Sequence, residues 1–362
     1  MGTREIDPRL QKLYDENVPV YSISRLNTIH QCPYSFWMNY IKHIKPPIHG
    51  NVYSFIGSCQ HDALEATLHG ADKSVVKDAL NEELENLDLA GVDFPLDRNG
   101  KPTIRNNYIA NMTRFAEEYE PLKGEYETEQ LILCPVDING KISYMQGYID
   151  IIKKNDDGSI EIGDWKTSSQ FDKNHLLQAG RQLCLYCLAK EYEGFEVSGV
   201  NWRMLKYCAT TWLQKNGKPK TKVSEWRNLI KDLKSPIEKA LSDLGYDEID
   251  IEAYLQEGME SNSWEPFPQE IKDKFTTTPY VREYELTPEI REETVEYITS
   301  TIKDIEERGS DEVNYPPCDI SKDSFFCATL CEYGGKTGLC KHWVDYCNTL
   351  QKDDEDDIDD LF

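Results

Sequence analysis

Twenty residues, Gly147–Lys166 (GYIDIIKKNDDGSIEIGDWK), constrain the chain more than any other stretch. They read as two short strands. Ile149, Ile151 and Ile152 supply β-branched bulk on the first, and Ile160 and Ile162 on the second. Asn155-Asp156-Asp157-Gly158 between them is turn chemistry, because Gly accepts positive φ and Asx side chains bond their own backbone. Asp150 sits inside the first strand, Asp164 ends the second, and Lys166 follows two residues on. Strand side chains alternate faces, so Asp164 and Lys166 project to one side and hairpin pairing can bring Asp150 beside them. Two carboxylates converging among apolar strands repel each other and are costly to desolvate, and a divalent metal removes both objections. The plain alternative is a pair of solvated strand-end carboxylates with a surface lysine.

A chain of 362 residues can bury a substantial core, in one large or two modest domains. No apolar run reaches the length of a membrane span, and MGTREIDPRLQKLYDEN is too polar for a secretory signal. A cytoplasmic protein is therefore expected, bacterial or in the host cytoplasm if phage-encoded, with no membrane partner. The eleven cysteines are scattered except near the C-terminus. That argues against a secreted disulfide scaffold, and in a reducing compartment clustered cysteines more often mean metal. The net charge of −25 argues against indiscriminate nucleic-acid binding, although seven of the acids lie in the tail DDEDDIDDLF, leaving −18 on the rest. Bases are nevertheless concentrated over 202–234, where nine Lys or Arg face only Glu225 and Asp232, interleaved with Trp202, Trp212 and Trp226. Lys218, Lys220 and Lys222 within it are candidate DNA contacts, a solvated hairpin loop being the alternative.

Residues 1–20 look like an extension of no clear type. SISRLNTIHQCPYSFWMNYIKHI suits a helix capped by Ser22 or Ser24 and interrupted near Pro33. In FIGSCQHDALEATLHG, Gly57, His61 and Glu65 recur at steps of four and so share one helical face, with Gly57 leaving room for an approach. Residues 73–120 read as two amphipathic helices around a polar loop. Asn139-Gly140 signals a hairpin leading into the Asp150 strand. HLLQAGRQLCLYCLAKEY has helical period, with Gln182 and Tyr186 one turn apart. The region 208–314 reads as mostly helical, and Thr287-Pro288 opens a helix to about Arg308. Cys318, Cys327, Cys331, Cys340 and Cys347 gather in a stretch with little periodicity, the kind that needs a metal or cluster to hold it, structural zinc included.

The order Gly57-x3-His61-x3-Glu65, Asp150 in GYID, Asp164-Trp165-Lys166 and Gln182-x3-Tyr186 resembles the RecB-like branch of the PD-(D/E)xK nucleases. The Ser-x-Ser-x-Leu segment, Cys32-Pro33-x2-Phe36-x3-Tyr40 and the late cysteines further resemble its iron–sulfur members, the AddB nuclease domain and the CRISPR-adaptation nucleases. The resemblance covers about 20–190 and 315–345, and its late cysteines are more widely spaced here than is usual. It implies an α/β, restriction-endonuclease-like fold with a mixed central sheet flanked by helices and a C-terminal cysteine-rich iron–sulfur segment. The corresponding organisation is an extension (1–20), a nuclease core (21–207), a mostly helical insert (208–314), an iron–sulfur segment (315–348) and a disordered acidic tail (349–362).

Carried over residue by residue, the resemblance implies that Asp150 and Asp164 bind catalytic Mg²⁺ or Mn²⁺, joined by His61 and the carbonyl of Trp165. An imidazole among these ligands favours Mn²⁺. Lys166 orients and helps deprotonate the attacking water, Gln182 and Tyr186 hold their helix against the site and touch DNA, and Glu65 supports the ligands. Cys32, Cys327, Cys331 and Cys340 hold a 4Fe–4S cluster, with Cys318 or Cys347 able to replace one of the later three. The activity implied is phosphodiester hydrolysis by a DNA exonuclease acting on single strands or ends in recombination, repair or phage replication. A non-cutting DNA-end scaffold and a CRISPR-type spacer-processing nuclease are the competing expectations. The tail 353–362, ending IDDLF, resembles the C-terminal tails of single-stranded-DNA-binding proteins, where acids steer and a terminal Phe anchors in a partner. Recruitment of a replication or recombination protein, competition with DNA for this chain's own basic stretch, and a solubilising end without a partner are the expectations.

Overall fold

The computed structural model describes residues 6–359 apart from 336, and only the backbone at 174 and over 351–359. The sheet is built on one long hairpin. Strand β1 (Val20–Tyr21) precedes it, and β2 (Glu125–Ile138) and β3 (Lys141–Lys154) form it. Asn139 and Gly140 join the two strands with φ of 54° and 84°, the paired left-handed values of a two-residue turn. That turn sets the register from Ile138↔Lys141 through to Glu125↔Lys154.

The other edge of β3 is shared. β1 pairs with it in parallel at Tyr144 and Met145, and β4 (Ile160–Lys166) pairs antiparallel only over Ile151–Lys154. Between these two partners the edge of β3 opens into a fork at residues 146–150. β5 (Val197–Leu213) then runs parallel to β4, and β6 (Pro219–Glu225) and β7 (Phe275–Glu283) pair antiparallel with β5, completing a mixed seven-stranded sheet.

Helices cover both faces. In chain order they are α1 (Pro8–Asp15), α2 (Ile23–Gln31), α3 (Pro33–Phe36), α4 (Val52–Leu68), α5 (Ser74–Ala90), α6 (Thr103–Glu118) and α7 (Lys173–Tyr192). There follow α8 (Leu229–Asp232), α9 (Lys234–Asp243), α10 (Glu248–Ser261), α11 (Gln269–Lys272), α12 (Pro288–Arg308) and α13 (Lys341–Asp359). On one face Leu26, Leu183 and Ile302 pack over Met145, Ile149, Ile152 and Ile162. On the other, Ile56, Leu64, Leu80, Met112 and Ile230 pack over Ile151, Trp165 and Leu205. Burying large aliphatic side chains at ~25 cal/mol per Å² on two faces is what holds the sheet between its helices.

Local signals place the helices that matter for the site. Ser22, not Ser24, caps α2 by accepting from the Arg25 N–H at 3.2 Å. Pro33 has no N–H to continue the ladder, so α2 stops and α3 restarts with Cys32 at the joint, its Sγ accepting from the Ser35 N–H at 3.5 Å. Asn51 and Ser54 form a reciprocal cap at the start of α4, with Asn51 Oδ1 accepting from Ser54 N at 3.2 Å and Ser54 Oγ accepting from Asn51 N at 2.8 Å.

Three expected boundaries differ from the structure. The 1–20 extension holds α1, whose Leu10 and Leu13 pack on Leu131, and it runs into β1 of the sheet. β5 crosses the expected 207/208 boundary without a break, and the 208–314 stretch contributes β6 and β7 as well as helices, so it is part of the sheet and not an insert beside it. Tyr207, Thr210, Thr211 and Trp212, residues that favour strands, carry it through. The tail expected to be disordered from 349 is helical through Asp359, as a continuation of α13 from Trp343, Val344 and Tyr346. Asp360, Leu361 and Phe362 lie outside the described residues. Among the described residues no helix is long and apolar enough to cross a membrane.

Candidate active site

The fork in the sheet collects the acids. Extending the β3–β4 register by one rung sets Asp150 opposite Asp164, but the ladder stops at Ile151↔Gly163. In place of that rung, Asp150 Oδ2 accepts the Trp165 N–H at 2.8 Å. Asp150 and Asp164 are 8% and 1% exposed, so both carboxylates lie out of water side by side. Burial, and then the Asp164 charge, raise the Asp150 carboxyl well above its ordinary value, with Lys166 working against them. His61 projects from α4, with Nδ1 3.5 Å from Asp150 Oδ2, and burial holds its basicity down.

Lys166 Nζ lies 2.6 Å from Asp164 Oδ2 and pairs with its charge. Burial opposes the lysine's charge, but Asp164 and Asp150 more than offset it and raise its basicity. A chain of bonds from α7 holds the ammonium in place. Lys166 Nζ donates to Gln182 Oε1 at 3.3 Å, Gln182 Nε2 to Tyr186 Oη at 2.7 Å, and Tyr186 Oη to the Tyr148 carbonyl at 2.7 Å. Tyr186 reaches that carbonyl because β3 has a glycine beneath it. A methyl group on Gly147 would stand 2.7 Å from Tyr186 Cε1. Gly147→Ala is therefore expected to push the ring off β3, cost about 1–3 kcal/mol and lower cleavage through a misplaced Lys166. Thermal melts and cleavage rates of this variant check it, and an unchanged melt and rate would refute the packing argument.

Four of the residues singled out from sequence thus meet in one place, namely Asp150, Asp164, Lys166 and His61, with Gln182 and Tyr186 behind Lys166. Trp165 donates its N–H to Asp150, and its ring stands edge-on to His61 at 5.8 Å. Gly57 on α4 faces Thr167 just beyond Lys166. Glu65 is turned to β2, where its Oε1 accepts from Thr128 Oγ1 at 2.7 Å. Its visible role is to fasten α4 to β2.

Five cysteines line one small cavity between α3 and the segment before α13. They are Cys32, Cys318, Cys327, Cys331 and Cys340, whereas Cys347 is outside it. Cys318 Sγ and Cys327 Sγ are 3.6 Å apart. Burial pushes the Cys327 thiol up to about 11 and raises Cys331 and Cys340 as well, against the pull of backbone N–H groups aimed at the latter two sulfurs. Gly334 permits the turn, since a methyl group there would meet the Cys327 carbonyl at 2.1 Å. Among the described residues no three His, Cys, Asp or Glu side chains close on one point tightly enough to hold an ion as they stand, here or at the acids.

Of the basic residues, Lys220 and Lys222 on β6 line an open groove of about 1230 Å³ with Lys215, Lys239 and Lys274. Lys220 stands 5.7 Å over the Trp212 ring. Lys218 is in the β5–β6 turn, outside that lining, with its N–H bonded to Asn216 Oδ1 at 3.0 Å.

Residues 20–334 match the PD-(D/E)XK nuclease superfamily. A solved structure described as the crystal structure of SSO0001 is similar over 70% of this chain and 83% of its own, at 14% identity and a TM-score of 0.23. No curated protein matches.

Proposed function

The chain belongs to the PD-(D/E)XK nuclease superfamily, and from that premise we propose that it is a DNA exonuclease acting on single strands or ends. The observation that carries this reading is the pair of buried carboxylates at the sheet fork beside a lysine anchored from α7, whose Nζ lies 2.6 Å from Asp164 Oδ2. One ammonium leaves two such acids in water-poor surroundings with a net negative charge that a divalent cation would offset, and burial with the Asp164 charge accounts for the raised Asp150 carboxyl.

Asp150, Asp164, His61 and the Trp165 carbonyl would hold Mg²⁺ or Mn²⁺, which when bound supplies Lewis-acid stabilisation of charge on the scissile phosphate. Lys166, charged and directed by Gln182, orients the attacking water. The base role expected for it requires the negative charge of Asp164 and Asp150 to be taken up elsewhere, because that charge now raises its basicity. Tyr186 fixes Gln182 from behind and, at 3% exposed, does not make the DNA contact expected of it, which leaves the half-buried Gln182 to border the path of the substrate. The groove beside β6 guides a strand by charge and by the Trp212 face.

We assign the cysteine cavity to a 4Fe–4S cluster that ties α3 to the C-terminal segment. The donors suit it, being soft sulfurs from segments far apart in sequence, some with N–H groups directed at them. Zinc is the second reading, favoured by one distance. Two thiolates on a tetrahedral zinc stand about 3.8 Å apart given Zn–S bonds of ~2.3 Å, close to the 3.6 Å between Cys318 and Cys327.

The test is degradation of end-labelled DNA, single- and double-stranded, linear and circular, with Mn²⁺, Mg²⁺ or EDTA. Linear single strands should lose label with either metal and not with EDTA, while circles stay intact. Cutting of circles would make the enzyme an endonuclease, and no cutting of any substrate would end the nuclease reading. Charge reversal of Lys218, Lys220 and Lys222 should weaken binding and flatten its salt dependence, the log–log slope falling by about 0.7 for each phosphate that is no longer neutralised. An unchanged slope would remove the groove from the DNA path.

A further inference from the structure

We propose that Lys206, with the Ser169 and Thr167 hydroxyls, binds the phosphate that adjoins the scissile one on the DNA strand. The proposal rests on the nuclease reading above and adds a contact which that reading does not use.

The sheet opens a second time at this lysine. β4 and β6 share one edge of β5, and β7 runs along the other. β4 leaves its edge after Lys166↔Met204 and β6 joins at Tyr207↔Glu225, so Leu205 and Lys206 pair with neither. On the other edge the ladder jumps from Met204↔Tyr280 to Cys208↔Pro279, passing over the same two residues and Tyr207. Irregularities of this kind re-aim side chains and are over-represented beside active sites. The alternation slips accordingly. Leu205 and Cys208 enter one core, while Met204 and Tyr207 enter the other. Lys206 therefore stands two positions past the rung of Lys166, at the end of the sheet where β4 finishes.

No carboxylate answers its charge. Lys206 is 8% exposed. Among the described residues it makes no ion pair, and its Nζ hydrogen-bonds to Ser169 Oγ at 3.3 Å. The ammonium also lies 5.1 Å from the centre of the Tyr108 ring. Burial lowers its basicity. Glu225 opposes that and Arg227 adds to it, but these two are already paired with each other at 2.5 Å. An ammonium held out of water without a counter-charge is costly, and a phosphate offsets that cost through charge-assisted hydrogen bonds.

The loop that carries the two hydroxyls follows directly on Lys166. The Gln170 N–H donates to Tyr207 Oη at 3.3 Å, which fastens the loop to β5 beside Lys206. Ser169 is exposed, so the buried stem of Lys206 delivers its ammonium to the surface. Thr167 is half-buried and faces Gly57 on α4, where a Cβ would stand 3.4 Å from Thr167 Oγ1. Gly57 precedes His61 by four residues, about 6 Å along the helix, a step similar to that between neighbouring phosphates of one strand. A strand whose scissile phosphate meets Asp150, Asp164 and His61 thus brings its next phosphate to Thr167, Ser169 and Lys206.

The test has two arms. In EDTA, binding of a fluorescent single-stranded oligonucleotide to the full chain is followed by anisotropy as salt is raised. Lys206→Met keeps the stem, removes the charge and should melt no lower than the parent. It should weaken binding about tenfold and lower the log–log salt slope by about 0.7, the value for one phosphate. Ser169→Asp places a carboxylate against the ammonium from an exposed position and should act alike; it decides in place of Lys206→Met if that variant melts below the parent. The second arm is cleavage with Mn²⁺ of strands in which one phosphate beside the cleaved bond is a neutral methylphosphonate. On one side of that bond the replacement should raise the parent's KM about tenfold and leave that of the deciding variant unchanged, with kcat changing little in either. An unchanged salt slope in the deciding variant overturns the proposal. So do methylphosphonates that cost parent and variant alike, since Lys206 would then hold a distant phosphate. Both results leave the nuclease reading intact while the parent cuts. If the parent cuts no DNA, that reading fails and this proposal with it.

Discussion

Asp150→Ala, Asp164→Ala and Lys166→Ala are each expected to lower DNA cleavage by at least about 10²–10³-fold while leaving DNA binding nearly unchanged, because the residues act on the reacting groups and not on the strand. Cleavage rates set against binding isotherms check this, and three variants that still degrade DNA at the parent rate would refute the assignment. The buried pair adds a signature that solvated carboxylates would not show. Burial raises the Asp150 carboxyl, so at neutral pH its ionised form costs folding free energy that the unfolded chain does not bear. The sign follows from that direction. This penalty is absent below the unfolded carboxylate's range and grows as pH rises from there to the raised native value. Asp150→Asn, which can still accept the Trp165 N–H, should therefore melt higher than the parent in EDTA at pH 7 while losing cleavage. A lower melting temperature would mean that the carboxylate contributes to the fold instead of straining it.

The cluster proposed for the cysteine cavity predicts the largest effect on stability. Cys32 and Cys340 lie 308 positions apart, and together with Cys318, Cys327 and Cys331 they surround one cavity. A tie closing a loop of that length restricts the unfolded chain by about 5–6 kcal/mol on the chain-entropy estimate, comparable with the whole stability of many domains. Cys32→Ser should therefore lower the melting temperature sharply and release the group. Protein purified without oxygen is expected to be brown, with iron approaching about four per chain. Colourless protein with stoichiometric zinc would select the zinc reading and leave the nuclease assignment intact. Protein with neither metal, whose Cys32→Ser variant melts like the parent, would show that these are only buried thiols.

Much of the site was legible before the fold was known, for reasons that can be named. Asp150, Asp164 and Lys166 lie in a hairpin whose period and turn are local, and His61 and Gln182 lie on helices whose faces follow from spacing. The position of Glu129 opposite Asp150 is legible from a local signal as well. The two-residue turn at Asn139-Gly140 fixes the register of β2 on β3, and counting back from it puts Glu129 opposite Asp150. The contact that Glu65 makes is not legible in the same way. Its spacing from His61 is correct, but a helical face is wide enough for one residue to meet the acids and the next to meet Thr128.

By itself, then, the sequence determined the hairpin, the paired acids and their lysine, the helix break at Pro33 and the crowding of thiols near the end. All of these arise from turn chemistry, alternation and capping within a few residues. Only the tertiary structure decided that β5 continues past residue 207 to receive β6 and β7, that Cys318 and not Cys347 joins the cavity, and that the sheet forks at Asp150. Those outcomes depend on which distant segments compete for one strand edge or one buried volume. β1 and β4 divide the edge of β3, and Asp150 lies at the end of the gap they leave. No local pattern encodes that gap, because it is set by the packing of segments more than a hundred residues apart.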